Sequence, residues 1–171
     1  MASLRSILVN VLGKEDVRAI SRRYFVSNGF DGTLTAIGVI VGAVLSGVPD
    51  GLTVVKIGIG AAIGLTTSAL WSVWEIERAE TMAEVRRMER AMLTDLDDTR
   101  VEREQRSARL VHSAASGLGP LIGVLVPLTP FLVEGTVFTL GEAAIVGVGL
   151  GVLVLSTFGA YMGSISGQRW Y

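Results

Sequence analysis

The chain has 171 residues, of which 50% are hydrophobic and 18% are charged, and its formal net charge is −1. The absence of cysteine excludes a disulfide framework, a thiolate metal site and a cysteine nucleophile, and the single histidine argues against a zinc centre built on histidine. A nearly neutral charge balance argues against a nucleic-acid partner. The sequence has no nucleophile–base pair, phosphate loop or nucleotide fingerprint, so we do not expect an enzyme.

Charged residues are gathered into blocks that leave two long stretches almost without charge. Residues 32–69 contain two charged side chains, and residues 113–168 also contain two. A soluble domain distributes charge along its helices to cover its surface, so this pattern indicates a membrane protein. The 21 glycines exceed the usual share and are typical of close helix packing in lipid.

Four apolar runs approach the length that a helix needs to cross a bilayer, and tight connections join them in pairs. They lie at about residues 32–48, 57–74, 113–133 and 137–163. The sequence therefore predicts an all-α integral membrane protein with two transmembrane helical hairpins, four spans in total, separated by a charged cytoplasmic helical insert. The predicted regions are a cytoplasmic N-terminal segment (1–30), hairpin 1 (31–74), the acidic and methionine-containing insert (75–112), hairpin 2 (113–163) and a C-terminal tail (164–171).

The basic residues predict the orientation. Of the 15 Lys and Arg residues, 14 lie in the N-terminal segment, the insert and the tail. Because cytoplasmic segments of membrane proteins carry an excess of basic residues, all three regions are expected in the cytoplasm. The small size and the lack of a secretory signal or other targeting sequence favour a prokaryotic plasma membrane.

The insert is too polar to enter lipid and is expected to form two helices. Residues 75–93 lack Gly and Pro and are rich in good helix formers. Residues 94–99 interrupt this pattern, and Thr99 with Glu102 has the form of a capping box that begins a second helix. We expect two short helices folded near the membrane rather than one long rod.

A carboxylate marks the start of the first apolar run. Asp31, Thr35, Gly38 and Gly42 fall on one face of a helix, which combines a carboxylate, a hydroxyl and two bare backbone positions. A carboxylate at membrane depth is costly and is by default a functional candidate, so this face is a candidate ion path for divalent cations. The alternative is that Asp31 caps the N-terminus of the helix in the headgroup region.

The insert begins with a second acidic face. Glu77, Glu80, Glu84 and Met88 lie on one side of the predicted helix, where carboxylates and a thioether would gather divalent metal such as ferrous iron. The alternative is an ordinary solvated face, with neighbouring arginines offsetting the acidic charge.

Other features are interpreted as structural. Two small-residue motifs, one at Gly60 and Gly64 and one at Gly147 and Gly151, predict tight helix contacts. His112, before the third apolar run, is interpreted as an interface residue rather than a ligand. Glu142 is expected at the edge of the fourth span, and prolines at 120, 127 and 130 are expected to kink the third.

Several of these segments together resemble the vacuolar iron transporter family. Residues 22–35, RRYFVSNGFDGTLT, and the glycine-rich run GVIVGA at 38–43 are similar to the opening of that family. Residues 119–130, GPLIGVLVPLTP, resemble its proline-rich third span, and an acidic cytoplasmic insert follows two spans in both.

The resemblance implies a homodimeric transporter that exports Fe²⁺, and also Mn²⁺, from the cytosol in exchange for protons. It places Asp31 on the ion path, and helical spacing puts Thr35 one turn further along the same face. We expect no permanently bound cofactor. Within the insert it implies metal binding by Glu77 and Glu80, with Glu84 and Met88 as additional ligands.

Two departures from the family pattern favour an alternative. The family carries a Met and a Glu late in its second span, whereas residues 66–74 read TTSALWSVW, and its usual fifth span is lacking, so the chain is either truncated or a four-span variant. The alternative function is a non-transporting membrane protein whose cytoplasmic helices sense metal or bind a partner.

Overall fold

The computed structural model describes the backbone of residues 13–92 and 100–166, and the side chains of residues 13–92 and 105–165. This part of the chain is helical and contains no β-strand. All four long helices have the length and apolar composition needed to cross a membrane, which confirms the predicted all-α class. The elements are α1 (Glu15–Leu45), α2 (Gly51–Met92), α3 (Arg100–Leu128), a 3-10 helix (Thr129–Val133) and α4 (Leu140–Ser166).

The connection between α1 and α2 is short because local hydrogen bonds end one helix and begin the next. Gly47 has a φ of +66°, a conformation that favours glycine, and its N–H donates to the carbonyl of Val44 at 3.1 Å. The N–H of Val48 donates to the carbonyl of Ala43 at 3.2 Å, completing the hydrogen-bond pattern of a Schellman motif. The carboxylate of Asp50 then accepts a 2.7 Å hydrogen bond from the N–H of Thr53 in the first turn of α2.

A capping box begins α4. The N–H of Thr139 donates to a carboxylate oxygen of Glu142 at 2.8 Å, and the hydroxyl of Thr139 accepts from the N–H of Glu142 at 3.4 Å. Glu142 therefore lies in the first turn of α4, as expected from its position at the edge of the last apolar run.

The two halves of the predicted insert lie in different helices, and each half is continuous with an apolar span. Residues 75–92 continue α2 without a break, and the second half of the insert is continuous with the apolar part of α3. The predicted boundaries at 74/75 and 112/113 thus fall inside helices, because no Gly or Pro stands there to end them. With 42 residues, α2 extends about 63 Å, roughly twice the thickness of a bilayer core. Thr99, the predicted cap, lies outside the described residues, although α3 begins directly after it.

Helix α3 is at the centre of the packing. Its most extensive contact is with α1, and its next is with α2, whereas α1 and α2 contact each other much less although they are consecutive. The fourth helix packs mainly against α1. Because α3 contacts both of the first two helices, α1 and α2 are left apart over part of their length, and a cleft remains between them.

Glycines allow α1 and α3 to approach closely. A Cβ added at Gly32 would lie 2.5 Å from Cα of Pro120, and one added at Gly123 would lie 2.6 Å from the carbonyl oxygen of Gly29. Backbone therefore meets backbone along this interface, as small residues permit in membrane helices.

The two predicted small-residue motifs have different surroundings. Gly147 and Gly151 pack within the chain, where an added Cβ would lie 2.7 Å from the carbonyl oxygen of Pro127 and 2.8 Å from Ile37, respectively. At Gly60 and Gly64 an added Cβ would meet nothing within 4 Å. Gly147 and Gly151 therefore form the expected tight contact, whereas Gly60 and Gly64 leave an open surface on α2.

Candidate functional site

A cleft of about 340 Å³, lined by both polar and apolar residues, lies between α1 and α2, with Pro120 of α3 also among its lining residues. Polar side chains from both helices line it, and they are Tyr24, Ser27, Asn28, Asp31, Ser68 and Ser72. Asp31 is the one charged side chain among the described residues that line this cleft, and it is exposed to the space within it. The cleft thus combines a carboxylate with neutral hydroxyl and amide groups.

The cleft extends from the charged part of α2 into its apolar part. Its lining residues on α2 lie between Leu65 and Ile76, a stretch of twelve residues that corresponds to about 16 Å along the helix. Asp31 itself lies in the middle of α1, sixteen residues after the helix begins at Glu15. The interpretation of Asp31 as an N-terminal cap is therefore wrong, because Asp31 lies inside a helix that continues without a break on both sides of it.

A chain of hydrogen bonds beside the cleft ties three helices together. The side-chain amide of Asn28 donates to the hydroxyl of Ser116 on α3 at 2.7 Å, and that hydroxyl donates to the carbonyl of Ala69 on α2 at 3.0 Å. Ser116 is fully buried. Buried polar groups with complete hydrogen bonding hold helices in one register, so this chain fixes the distance between the two walls of the cleft.

A second polar cluster joins the same three helices nearer the charged end. Tyr24 donates a 3.1 Å hydrogen bond to one carboxylate oxygen of Glu77, and Nδ1 of His112 lies 3.0 Å from the other. The side chains of His112 and Glu77 are 4% and 15% exposed. Glu77 therefore faces the helix interface, and its carboxylate is already occupied by protein groups.

The other predicted metal ligands of the insert lie apart from this cluster. Glu80 and Glu84 are exposed to solvent, and Met88 is half-buried. Within the described part of the chain, no group of three or more His, Asp or Glu side chains converges in a way that could hold a metal ion. The structure therefore brings Glu77 together with His112 and Tyr24, and not with Glu80, Glu84 and Met88.

Thr35 lies one turn beyond Asp31 on α1, and it is not among the residues that line the cleft. The remaining positions of this face, Gly38 and Gly42, are exposed, and an added Cβ at either would meet nothing within 4 Å. The predicted face is therefore an open strip on the outside of the four-helix arrangement, continuous with the cleft at Asp31.

Sequence reasoning did not identify the neutral polar residues that surround Asp31. Ser68 and Ser72 lie four residues apart in an apolar run, a spacing that places them on one helix face and that would have indicated a polar wall. Asn28 was available within the motif that precedes Asp31, but its pairing with Ser116, 88 residues away, has no signal in a single sequence.

Comparisons with known proteins show a similar protein but do not show a family. No family model matches the chain, and no solved structure matches it. The chain is 26% identical over 170 residues to an uncharacterized protein, MJ0645, of Methanocaldococcus jannaschii, and this similarity covers 98% of the chain and 83% of that protein. The similarity thus extends over all four helices described above.

Proposed function

We propose that the protein transports a divalent metal cation, Fe²⁺ or Mn²⁺, across a membrane, and that the ion passes Asp31. The observation that carries this proposal is the position of Asp31 in a cleft between two helices that are long and apolar enough to span a bilayer. A carboxylate in such surroundings is expensive, and ion or proton pathways are the usual reason for one.

The chemistry of the cleft suits a divalent ion that keeps part of its water. Asp31 supplies one negative charge, and the hydroxyls of Ser68 and Ser72 are neutral oxygens on the opposite wall. A divalent cation prefers about six oxygen ligands, so several positions are left for water. An ion bound by one carboxylate binds weakly enough to leave again, which transport requires.

We further propose that the ion enters from the charged end of α2 and leaves when a proton replaces it. Exposed acidic residues, Glu80 and Glu84 among them, raise the local concentration of cations near the mouth of the cleft. Protonation of Asp31 from the opposite side removes the ligand charge and releases the ion. Each cycle then exports metal and imports protons.

The proposal includes a topology and an oligomeric state. The four helices form two transmembrane hairpins in a prokaryotic plasma membrane, with both termini and the charged insert in the cytoplasm. Two copies assemble into a homodimer through the open surface of α2, where a Cβ added at Gly60 or Gly64 would meet nothing within 4 Å, so that close helix contact is possible.

Flux through the purified protein tests this function. The protein is reconstituted into liposomes that contain a metal-sensitive and a proton-sensitive dye, and Fe²⁺, Mn²⁺, Co²⁺ or Zn²⁺ is added outside. We expect uptake of Fe²⁺ and Mn²⁺ with proton movement in the opposite direction. A rate of metal uptake no higher than that of protein-free vesicles would contradict the proposal.

One observation favours the alternative of a non-transporting metal sensor or partner-binding protein. Helix α2 runs unbroken from the wall of the cleft to the exposed acidic residues near its end. A continuous helix transmits a displacement at one end to the other, so metal binding at Glu80 and Glu84 would move the cleft wall without ion passage. Saturable Mn²⁺ binding to the full chain, measured by calorimetry, together with no flux in liposomes would favour this function.

A further inference from the structure

An apolar groove of about 440 Å³ lies between α2 and α3, separate from the cleft that contains Asp31. Apolar side chains of the two helices line it, and they include Leu70, Trp71, Trp74, Leu110 and Ala114. Its volume falls within the range of about 300–1,000 Å³ that binding sites for small molecules occupy. Trp71 is 68% exposed, so the groove opens outward from the two helices.

Arginines stand at one end of this groove on both helices. Arg78 follows Trp74 by one turn of α2, and Arg106 precedes Leu110 by one turn of α3, so each lies on the helix face that lines the groove. Both side chains are exposed. Apolar surface thus gives way to positive charge within a single turn, at the same level on two neighbouring helices.

A third arginine connects the charged end to the groove itself. The guanidinium carbon of Arg109 lies 5.2 Å from the ring centroid of Trp74. Its Nε atom is buried and has no hydrogen-bond partner among the described residues. Arg109 is partly buried, and Arg78 and Arg106 lie close enough to repel its charge, whereas Glu75 and Glu77 attract it. Arg78 itself lies 3.8 Å from a carboxylate oxygen of Glu75. An anion placed between the three guanidinium groups would add a further favourable interaction to each of them.

The two tryptophans indicate where this site lies relative to a bilayer. Tryptophan side chains collect at the level of lipid headgroups, and Trp71 and Trp74 end the apolar part of α2 directly before Glu75. The groove therefore lies on the acyl-chain side of the interface, and the arginines lie on the headgroup side. A ligand that fits both parts has an apolar chain joined to an anionic group.

We propose that this groove binds an anionic glycerophospholipid, with one acyl chain between α2 and α3 and the phosphate among Arg78, Arg106 and Arg109. Basic pockets between transmembrane helices bind anionic headgroups in this way. The site requires the helices to lie in a membrane, but it does not depend on the transport of metal.

Tryptophan fluorescence measures occupancy of the groove directly. In a Trp170→Phe background, the remaining emission comes from Trp71 and Trp74, both of which line the groove. The full chain is reconstituted into phosphatidylcholine vesicles that contain a small fraction of either phosphatidylglycerol or phosphatidylcholine with brominated acyl chains. Bromine quenches tryptophan at short range, so the ratio of the two quenching curves gives the preference for the anionic lipid.

We expect the brominated phosphatidylglycerol to quench several-fold more effectively than brominated phosphatidylcholine. The double variant Arg78→Gln/Arg106→Gln should lose most of this preference, because it removes two of the three guanidinium groups that would bind the phosphate. The matched variant Arg86→Gln/Arg87→Gln removes the same charge from exposed positions further along α2, and it should keep the preference.

Two further arms identify the ligand. High salt should weaken the preference in the unmodified chain, because exposed charges are screened, and added inorganic phosphate should leave it unchanged. Equal quenching by the two lipids would overturn the proposal. An equal loss of preference in the two double variants would also overturn the proposal, since the effect would then come from overall charge. Loss of the preference on addition of inorganic phosphate would overturn it as well, because the arginines would then bind a free anion rather than a lipid.

Discussion

Replacing Gly32 by alanine should force α1 and α3 apart beside Asp31. The added Cβ would lie 2.5 Å from Cα and 2.6 Å from the carbonyl oxygen of Pro120, both of which belong to the backbone of a buried residue. Non-bonded carbon atoms prefer separations of about 3.5–4.0 Å, so the two helices must separate by about 1 Å. Overpacking of this kind costs about 1–3 kcal/mol.

The matched control is Gly38→Ala on the same helix. An added Cβ at Gly38 meets nothing within 4 Å, so this variant gains the higher helix propensity of alanine without a steric cost. Thermal unfolding of the detergent-purified proteins, followed by circular dichroism, should place Gly32→Ala several degrees below the parent and Gly38→Ala at or above it. Equal melting temperatures for the two variants would refute the close contact between α1 and α3.

Three further predictions concern side chains that the structure places in defined contacts. Glu77→Gln should destabilise the protein by about 1–3 kcal/mol because two partners would lose a charged acceptor, whereas Glu80→Gln at its exposed position should leave the melting temperature unchanged. In a double-mutant cycle of Asn28→Ala and Ser116→Ala, denaturant titrations should give a coupling of about 0.6–2 kcal/mol, and additive effects would show that the hydrogen bond contributes nothing. Thr139→Ala should cost about 0.5–2 kcal/mol by removing the cap of the last helix, and Thr139→Ser should not, as measured by the same titrations.

Local features of the fold were predictable because neighbouring residues determine them. The connection around Gly47 and the position of Glu142 follow from short-range turn and cap chemistry, and both occur where the sequence indicates. The four apolar helices follow equally from composition. The predicted boundary between the second span and the insert does not end a helix, because nothing in residues 75–92 terminates the helix that begins at Gly51.

The arrangement of the site depended on contacts between distant parts of the chain. Tyr24 and Glu77 are separated by 53 residues, and only the packing of α1 and α2 around α3 brings them together. The acidic face predicted for the insert was derived from helical periodicity alone, which places residues on a face without indicating what that face contacts. Glu77 consequently lies against His112, and Glu80 remains in solvent.

The central claim is that a cation passes the carboxylate of Asp31, and the most direct test compares metal flux through Asp31→Asn and Asp50→Asn in proteoliposomes. The two variants make the same chemical change, and asparagine at position 50 retains the cap of α2. We predict that Asp31→Asn lowers the initial rate of Mn²⁺ uptake at least about tenfold, as expected for the loss of a metal ligand, and that Asp50→Asn transports like the parent. Unchanged Mn²⁺ uptake by Asp31→Asn, with parent protein active in the same vesicles, would contradict the claim.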